Sequence, residues 1–240
     1  MPFLLLFISI FPVLVILLYI YKRDKYEKEP IGLLIKAFFA GVLSAVITII
    51  VVVLVMPYLP RYDSLFSAAL VESFIEAAIP EELFKFLMLY WVIWKNKNFN
   101  EKFDGIVYAV FVSLGFACLE NIFYVFENGV AVGLLRAVLS VPAHALFGII
   151  MGFYLSLARF NPENKGSLIL KSLVFSMVAH GIFDFLLLYG SKNAQVSIGI
   201  MLLAFLLFFI FVIWLWRLGF KKLKQFSLPP DSNENIPEIP

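Results

Sequence analysis

Apolar residues run along this chain in long, nearly continuous blocks, at about 3–21, 31–57, 67–94, 104–126, 133–158, 168–189 and 197–218, with charged residues gathered in the gaps. Each block approaches or exceeds the roughly 20 residues that cross the hydrocarbon of a bilayer. In lipid every backbone N–H and C=O must be satisfied internally, so blocks this long predict helices; barrel strands would be about 10 residues of alternating polarity. The expected fold class is all-α, a polytopic integral membrane helical bundle of about seven transmembrane helices.

Composition agrees with that solvent. Hydrophobic residues make up 62% of the 240, mean hydropathy is +0.94 and only 15% are charged, which excludes an ordinary soluble domain. The net charge of +2 reflects where the cations fall and points to membrane lipid as the surroundings, not to nucleic acid. Thirteen of the 19 Lys and Arg lie in gaps that face inward if the N-terminus is outside: Lys22, Arg23, Lys25 and Lys28, then Lys95, Lys97 and Lys102, then Arg159 and Lys165, then Arg217, Lys221, Lys222 and Lys224. The positive-inside rule therefore places the N-terminus out and the C-terminus in. No basic residue precedes the first block and Lys22-Arg23 follows it, so it reads as a retained anchor, not as a cleaved leader. Residues 1–226 form the expected single transmembrane domain. The polar, proline-rich 227–240 reads as a disordered cytoplasmic tail.

Against this apolar background stand Glu81, Glu82, Lys85, Glu120, Arg136, His144, His180 and Asp184, all inside blocks. A charge at the bilayer centre costs at least about 2.5–3.5 kcal/mol on insertion scales, so this many require one another. Steps of four residues put them on stripes of small residues. The stripes are Ser73, Ala77, Glu81, Lys85; Gly105, Ala109, Ser113, Ala117, Asn121; Arg136, Ser140, His144, Gly148, Gly152; and Ser172, Ser176, His180, Asp184. Small residues at this spacing let membrane helices approach closely. Four helices are thus expected to close around a polar centre in the outer to middle part of the bilayer. Pro80 predicts a kink beside the two glutamates. Since consecutive residues point about 100° apart, Glu81 and Glu82 are not expected to reach one spot, one serving chemistry and the other pairing with Lys85.

The motifs resemble those of the PrsW family of intramembrane proteases. Glu81-Glu82-Leu83-Phe84-Lys85 matches its E-E-x-x-K, Phe116 to Glu120 its F-x-x-x-E, and His180 to Asp184 its H-x-x-x-D, with His144 as the further histidine between them. Lys28-Glu29-Pro30 and Asp104-Gly105 extend the likeness over most of residues 22–189. The family is distantly similar to the CAAX prenyl endopeptidase and Abi group, from which Lys85 and Glu120 depart. The resemblance implies an integral protein of the bacterial cytoplasmic membrane. It would cleave a single-pass membrane substrate, such as an anti-sigma factor, near its extracytoplasmic end.

Peptide hydrolysis needs an activated water and a group that stabilises the oxyanion. Glu81 or Glu82 is the expected base, with His144, His180, Glu120 and Asp184 completing the catalytic set and Asp184 orienting His180. Lys85 is expected as a structural counter-ion. Asn121 is a candidate for binding substrate backbone, with helix packing as its other role. Two designs fit these residues: a metal-free glutamate site, and a zinc site drawing ligands from His144, His180, Glu120 and Glu82. The alternative from another class is a proton- or ion-coupled transporter, which also carries intramembrane carboxylates. As structural readings, Arg136 can snorkel to the outer surface, Glu72 and Glu76 can sit on a projecting, solvated helix end, and Asp104 can cap a helix ahead of Gly105.

Overall fold

The computed structural model describes residues 2–25, 27–59 and 62–227. Among these residues it is all helix, with no strand. In chain order the elements are α1 (Pro2–Arg23), α2 (Ile31–Val55), α3 (Leu65–Val71), a π-helical segment (Glu72–Ala78), α4 (Ile79–Ile93), α5 (Lys102–Val138), α6 (Ser140–Phe160), α7 (Lys165–Lys192) and α8 (Ile198–Phe226). All of the expected tail except Ser227 lies outside the described residues.

Five helical runs are long and apolar enough to cross a membrane: Pro2–Arg23, Ile31–Tyr58, Lys102–Phe160, Lys165–Lys192 and Ile198–Phe226. The difference from seven blocks has two physical sources. Residues 102–160 are helical almost without interruption although the chain doubles back, since Gly105 of α5 packs against Gly152 and Ser156 of α6. Residues 65–93 are divided by the π turns and carry Glu72, Glu76, Glu81, Glu82 and Lys85, which lower their apolar character.

α5 is the axis of the bundle. Every residue from Phe103 to Cys118 is buried, so this helix has no lipid face over that length. A Cβ on Gly152 would stand 2.3 Å from the carbonyl oxygen of Gly105, so glycine is what permits α5 and α6 to approach this closely. Two serine hydroxyls add hydrogen bonds between helices, Ser113 Oγ to His144 O and Ser172 Oγ to Met151 O, each 2.7 Å. The outer helices bury only a stripe, Ser9, Val13, Leu17 and Ile20 on α1 and, on α8, Ala204, Phe208 and Leu215 continued by Gly219, Lys222, Leu223 and Phe226. Their other faces expose large apolar side chains such as Leu14, Leu18, Leu206 and Ile213, as lipid contact requires.

Two local features position the site. Pro80, at the second position of α4, has no N–H to donate to the turn before it. The chain meets that expected distortion with the wider π turns of Glu72–Ala78, directly ahead of the paired glutamates. The second feature is Gly129, whose φ of 84° and ψ of −171° break α5. The nine residues after it fold back, bringing Gly133 against Val125. Asp104 corrects the expected cap: it sits at the third position of α5, and its Oδ2 accepts from the N–H of Asn100 at 2.9 Å and of Glu101 at 2.6 Å. Glu101 is the cap residue.

Candidate active site

Four helices deliver one polar cluster. α4 supplies Glu81, Glu82 and Lys85, α5 supplies Glu120, α6 supplies His144, and α7 supplies His180 and Asp184. Glu82 and Lys85 are fully buried, His144 and His180 are 3% exposed, and Glu81 is 9% exposed. Glu120 and Asp184 are half-buried at the edge.

Lys85 is the hub. Its Nζ lies 2.8 Å from Glu82 Oε1, 3.1 Å from Glu81 Oε2 and 3.1 Å from His144 Nδ1, and 4.0 Å from the ring centre of Phe116. Both glutamates therefore reach one cation, which corrects the expectation that only one would. The helix separates their Cβ directions, but two flexible side chains at i−4 and i−3 converge on a lysine.

The partners of each histidine define its protons. An ammonium only donates, so His144 Nδ1 accepts from Lys85, and Nε2–H donates to Glu120 Oε2 at 3.0 Å. His180 faces carboxylates on both sides, Glu82 Oε1 3.0 Å from Nδ1 and Asp184 Oδ2 3.1 Å from Nε2. If both carboxylates are ionised, both of its nitrogens donate and the ring is an imidazolium. Its ring stacks on Phe147, with centroids 4.7 Å apart. Four carboxylates are then opposed by three cations, Lys85, Arg136 and His180. With all of these groups ionised the cluster keeps one negative charge in low dielectric, room for a further proton.

Arg136 is not a snorkelling surface residue. The turn at Gly129 carries it back to Glu120, where its Nη2 lies 2.9 Å from Oε2, while Nε donates to Asn121 Oδ1 at 2.9 Å. Asn121 is buried, and its Nδ2 donates to Ser9 O at 2.9 Å, so both ends of its amide are taken by the protein and it holds helices together. Glu72 and Glu76 are also half-buried and partnered, by Lys192 at 2.9 Å and by the hydroxyl of Tyr62. Phe147 escaped the sequence reading because a lone aromatic in a membrane helix carries no signal of its own. Arg136 had one, the breaker Gly129 between two apolar blocks.

A groove of about 390 Å³ runs between α2 and α5 down to this cluster. Glu81 and Glu120 line it, and Glu82 does not.

A family model described as PrsW family intramembrane metalloprotease matches residues 29–215. The chain belongs to the PrsW family. It is similar to the Protease PrsW of Oceanobacillus iheyensis, 38% identical over 227 residues that cover 95% of each chain. The Protease PrsW of Geobacillus kaustophilus is 34% identical over 214 residues, 89% of this chain and 88% of that one. That of Bacillus subtilis is 33% identical over 218 residues, 90% of this chain and 93% of that one. No solved structure matches. As a member of the PrsW family the chain is an integral membrane protein and an intramembrane protease.

The metalloprotease description of the PrsW family can be tested on the donor set. Among the described residues, Glu81, His144 and His180 each offer a ligand atom within 4.8 Å of the others. This set differs from the expected one, since Glu81 stands where Glu82 or Glu120 was anticipated. Two imidazoles and one carboxylate are the donors of open, catalytic zinc sites. Each histidine also has a carboxylate on its Nε2, Glu120 or Asp184, the partner that a metal-ligating histidine uses to fix its ring. The residues fit a divalent cation in type and spacing, provided that His180 gives up its Nδ1 proton and that the two Nδ1 atoms exchange Glu82 and Lys85 for the metal.

Proposed function

We propose that this intramembrane protease cuts a single-pass membrane protein, of the kind exemplified by an anti-sigma factor, near its extracytoplasmic end. The observation that carries this reading is the convergence of Glu81, His144 and His180 from three helices beside a groove that opens toward lipid. Glu81, His144 and His180 would hold the metal, zinc by donor type. When bound, it would polarise the scissile carbonyl and acidify a water. The chain's own groups do the rest. Glu120, on the groove and held by Arg136 and the Nε2–H of His144, takes the proton of the attacking water and passes it to the leaving amine. Asp184, on Nε2, fixes the ring of His180 and leaves Nδ1 to the metal. Lys85 balances the paired glutamates.

A second reading, a metal-free glutamate site with Glu81 as base, is favoured by one distance set. The ammonium of Lys85 already sits within 3.1 Å of Glu81, Glu82 and His144 and can serve as the built-in cation. Purified protein, a single-pass reporter, a chelator and metal analysis decide between the two. The zinc reading expects about one metal ion per chain and loss of cleavage on chelation, restored by zinc. Full cleavage by metal-free protein supports the glutamate reading, and no cleavage by well-inserted protein overturns both.

Seven crossings with the N-terminus out are part of the proposal. They count residues 65–93 as one span and divide 102–160 into two. The support is the gathering of Lys and Arg at alternate gaps. Residues 1–226 then form one domain in the bacterial cytoplasmic membrane. Cysteine accessibility at each gap, in a Cys118→Ser background, tests the arrangement.

A further inference from the structure

The groove between α2 and α5 is unequal in chemistry along its length. Its α2 wall is apolar but for the buried Thr48, built on Ala45, Ile49, Val52 and Val53, and Ile49 and Val53 are 45% and 62% exposed. These residues continue the lipid-facing surface of α2, so the groove opens sideways into the bilayer. Its other lining includes four carboxylates, Glu76, Glu81, Glu120 and Glu127.

Three of the four are engaged. Glu81 is neutralised by Lys85, Glu120 by Arg136, and Glu76 accepts from Tyr62. Glu127 is exposed and has no ion pair or hydrogen bond among the described residues. It lies seven residues beyond Glu120 on the same helix, about 10 Å along the axis. An extended substrate covers that distance in about three residues.

We propose that a membrane-anchored substrate enters sideways between α2 and α5, and that Glu127, at the mouth of the groove, selects a lysine or arginine about three residues from the scissile bond. This rests on the reading that the Glu81 cluster is the hydrolytic site, and it adds a substrate class to it. A cation at the end of an apolar segment meets the one uncommitted carboxylate there. An acidic residue at the same place meets a surplus of like charge.

The test uses the full chain in proteoliposomes with three single-pass reporters that differ only in carrying Arg, Gln or Glu three residues from the cut. The basic reporter should exceed the acidic one about tenfold or more in kcat/KM. Glu127→Gln should bring that ratio close to one, and Glu127→Lys should reverse it. Equal cleavage of all reporters by the unaltered chain, or a ratio that neither substitution changes, overturns the proposal. A photocrosslinker at Val53 or Phe123 should capture the reporter in a Glu81→Gln background, while one at Leu206 on α8 should not; capture at Leu206 alone also overturns it. A chain that is correctly inserted but cleaves none of the reporters overturns the hydrolytic reading itself, an outcome distinct from cleavage without charge preference.

Discussion

Lys85 Nζ lies 3.1 Å from His144 Nδ1, and this contact joins two helices whose polar residues would otherwise face each other as unpaired burdens in lipid. The same ammonium meets Glu81 and Glu82, so one cation compensates two buried carboxylates and fixes a histidine tautomer. Removing one partner of a buried ion pair costs about 3–5 kcal/mol, because the charges left behind are not hydrated. Lys85→Met should therefore lower the thermal midpoint in detergent steeply and abolish cleavage. Lys85→Arg keeps the charge and should recover most of the midpoint and less of the activity, since a planar guanidinium cannot copy the three contacts of the ammonium. A Lys85→Met midpoint equal to that of the parent chain would remove Lys85 from the centre of the cluster.

Glu81 and Glu82 should separate by measurement. Glu82 is fully buried, its Oε1 meets both Lys85 and His180, and its Oε2 has no hydrogen-bond partner. Glu81 faces the groove. Glu81→Gln should cut kcat by about 10²-fold or more with little loss of midpoint. Glu82→Gln should lower the midpoint by an amount worth about 1–3 kcal/mol, with activity falling in step. Unfolding curves and single-turnover cleavage on the two variants check this, and the reverse pattern would exchange their roles.

Much of the site could be read before the fold because its geometry is local. Residues four apart on a helix must meet, so His180 with Asp184 and Glu81 with Lys85 followed from spacing. The small-residue stripe Gly105, Ala109, Ser113, Ala117 is buried along α5, but so is every residue from Phe103 to Cys118, and its mark is instead the close approach of Gly105 to Gly152. What escaped depends on long-range placement or side-chain reach. Hydropathy locates apolar blocks but not the direction of the short return after Gly129, so Arg136 stayed open between the polar cluster and the outer surface. A helical wheel gives Cβ directions, and it hid the convergence of Glu81 and Glu82 on one lysine. The trio Glu81, His144 and His180 comes from three helices with no diagnostic spacing, so the zinc set was drawn with other carboxylates.

Gly129 is the hinge that puts Arg136 on Glu120. Its backbone, φ 84° and ψ −171°, lies in a region essentially restricted to glycine, and an added Cβ would meet nothing within 4 Å. The penalty for a side chain there is thus conformational, not steric crowding. Gly129→Ala should cost about 1–3 kcal/mol, or re-aim residues 130–138 to escape the cost. Either result loosens Arg136 from Glu120 and Asn121. Activity should fall more than the midpoint, and Arg136→Ala should add little further loss on top of Gly129→Ala. Fully additive losses would mean that the turn and the ion pair act separately.

Away from the hydrolytic cluster, Glu29 lies just ahead of α2, 4% exposed, accepting from the hydroxyl of Tyr108, and its N–H donates to Asp24 Oδ2 at 3.3 Å. Burial pushes its carboxyl up from the ordinary 4.5, and the negative charges of Asp24 and Glu27 add to that against the hydrogen bonds from Tyr108 and Asp104. Burial raises Asp24 as well, opposed by its backbone hydrogen bond from Glu29 and by Lys28. A carboxyl with a raised folded value binds its proton more tightly when folded than when unfolded. Its contribution to stability is then complete below the unfolded 4.5 and is lost as pH rises through the folded value. The thermal midpoint should therefore carry a component that declines from pH 4.5 upward. Glu29→Gln keeps an acceptor for Tyr108 but cannot ionise, so it should flatten that slope and raise the midpoint at neutral pH relative to the parent. Asp24→Asn in the same background should flatten it further. A parent and a Glu29→Gln variant with parallel midpoint profiles from pH 4.5 to neutrality would show that the fold does not raise this carboxyl.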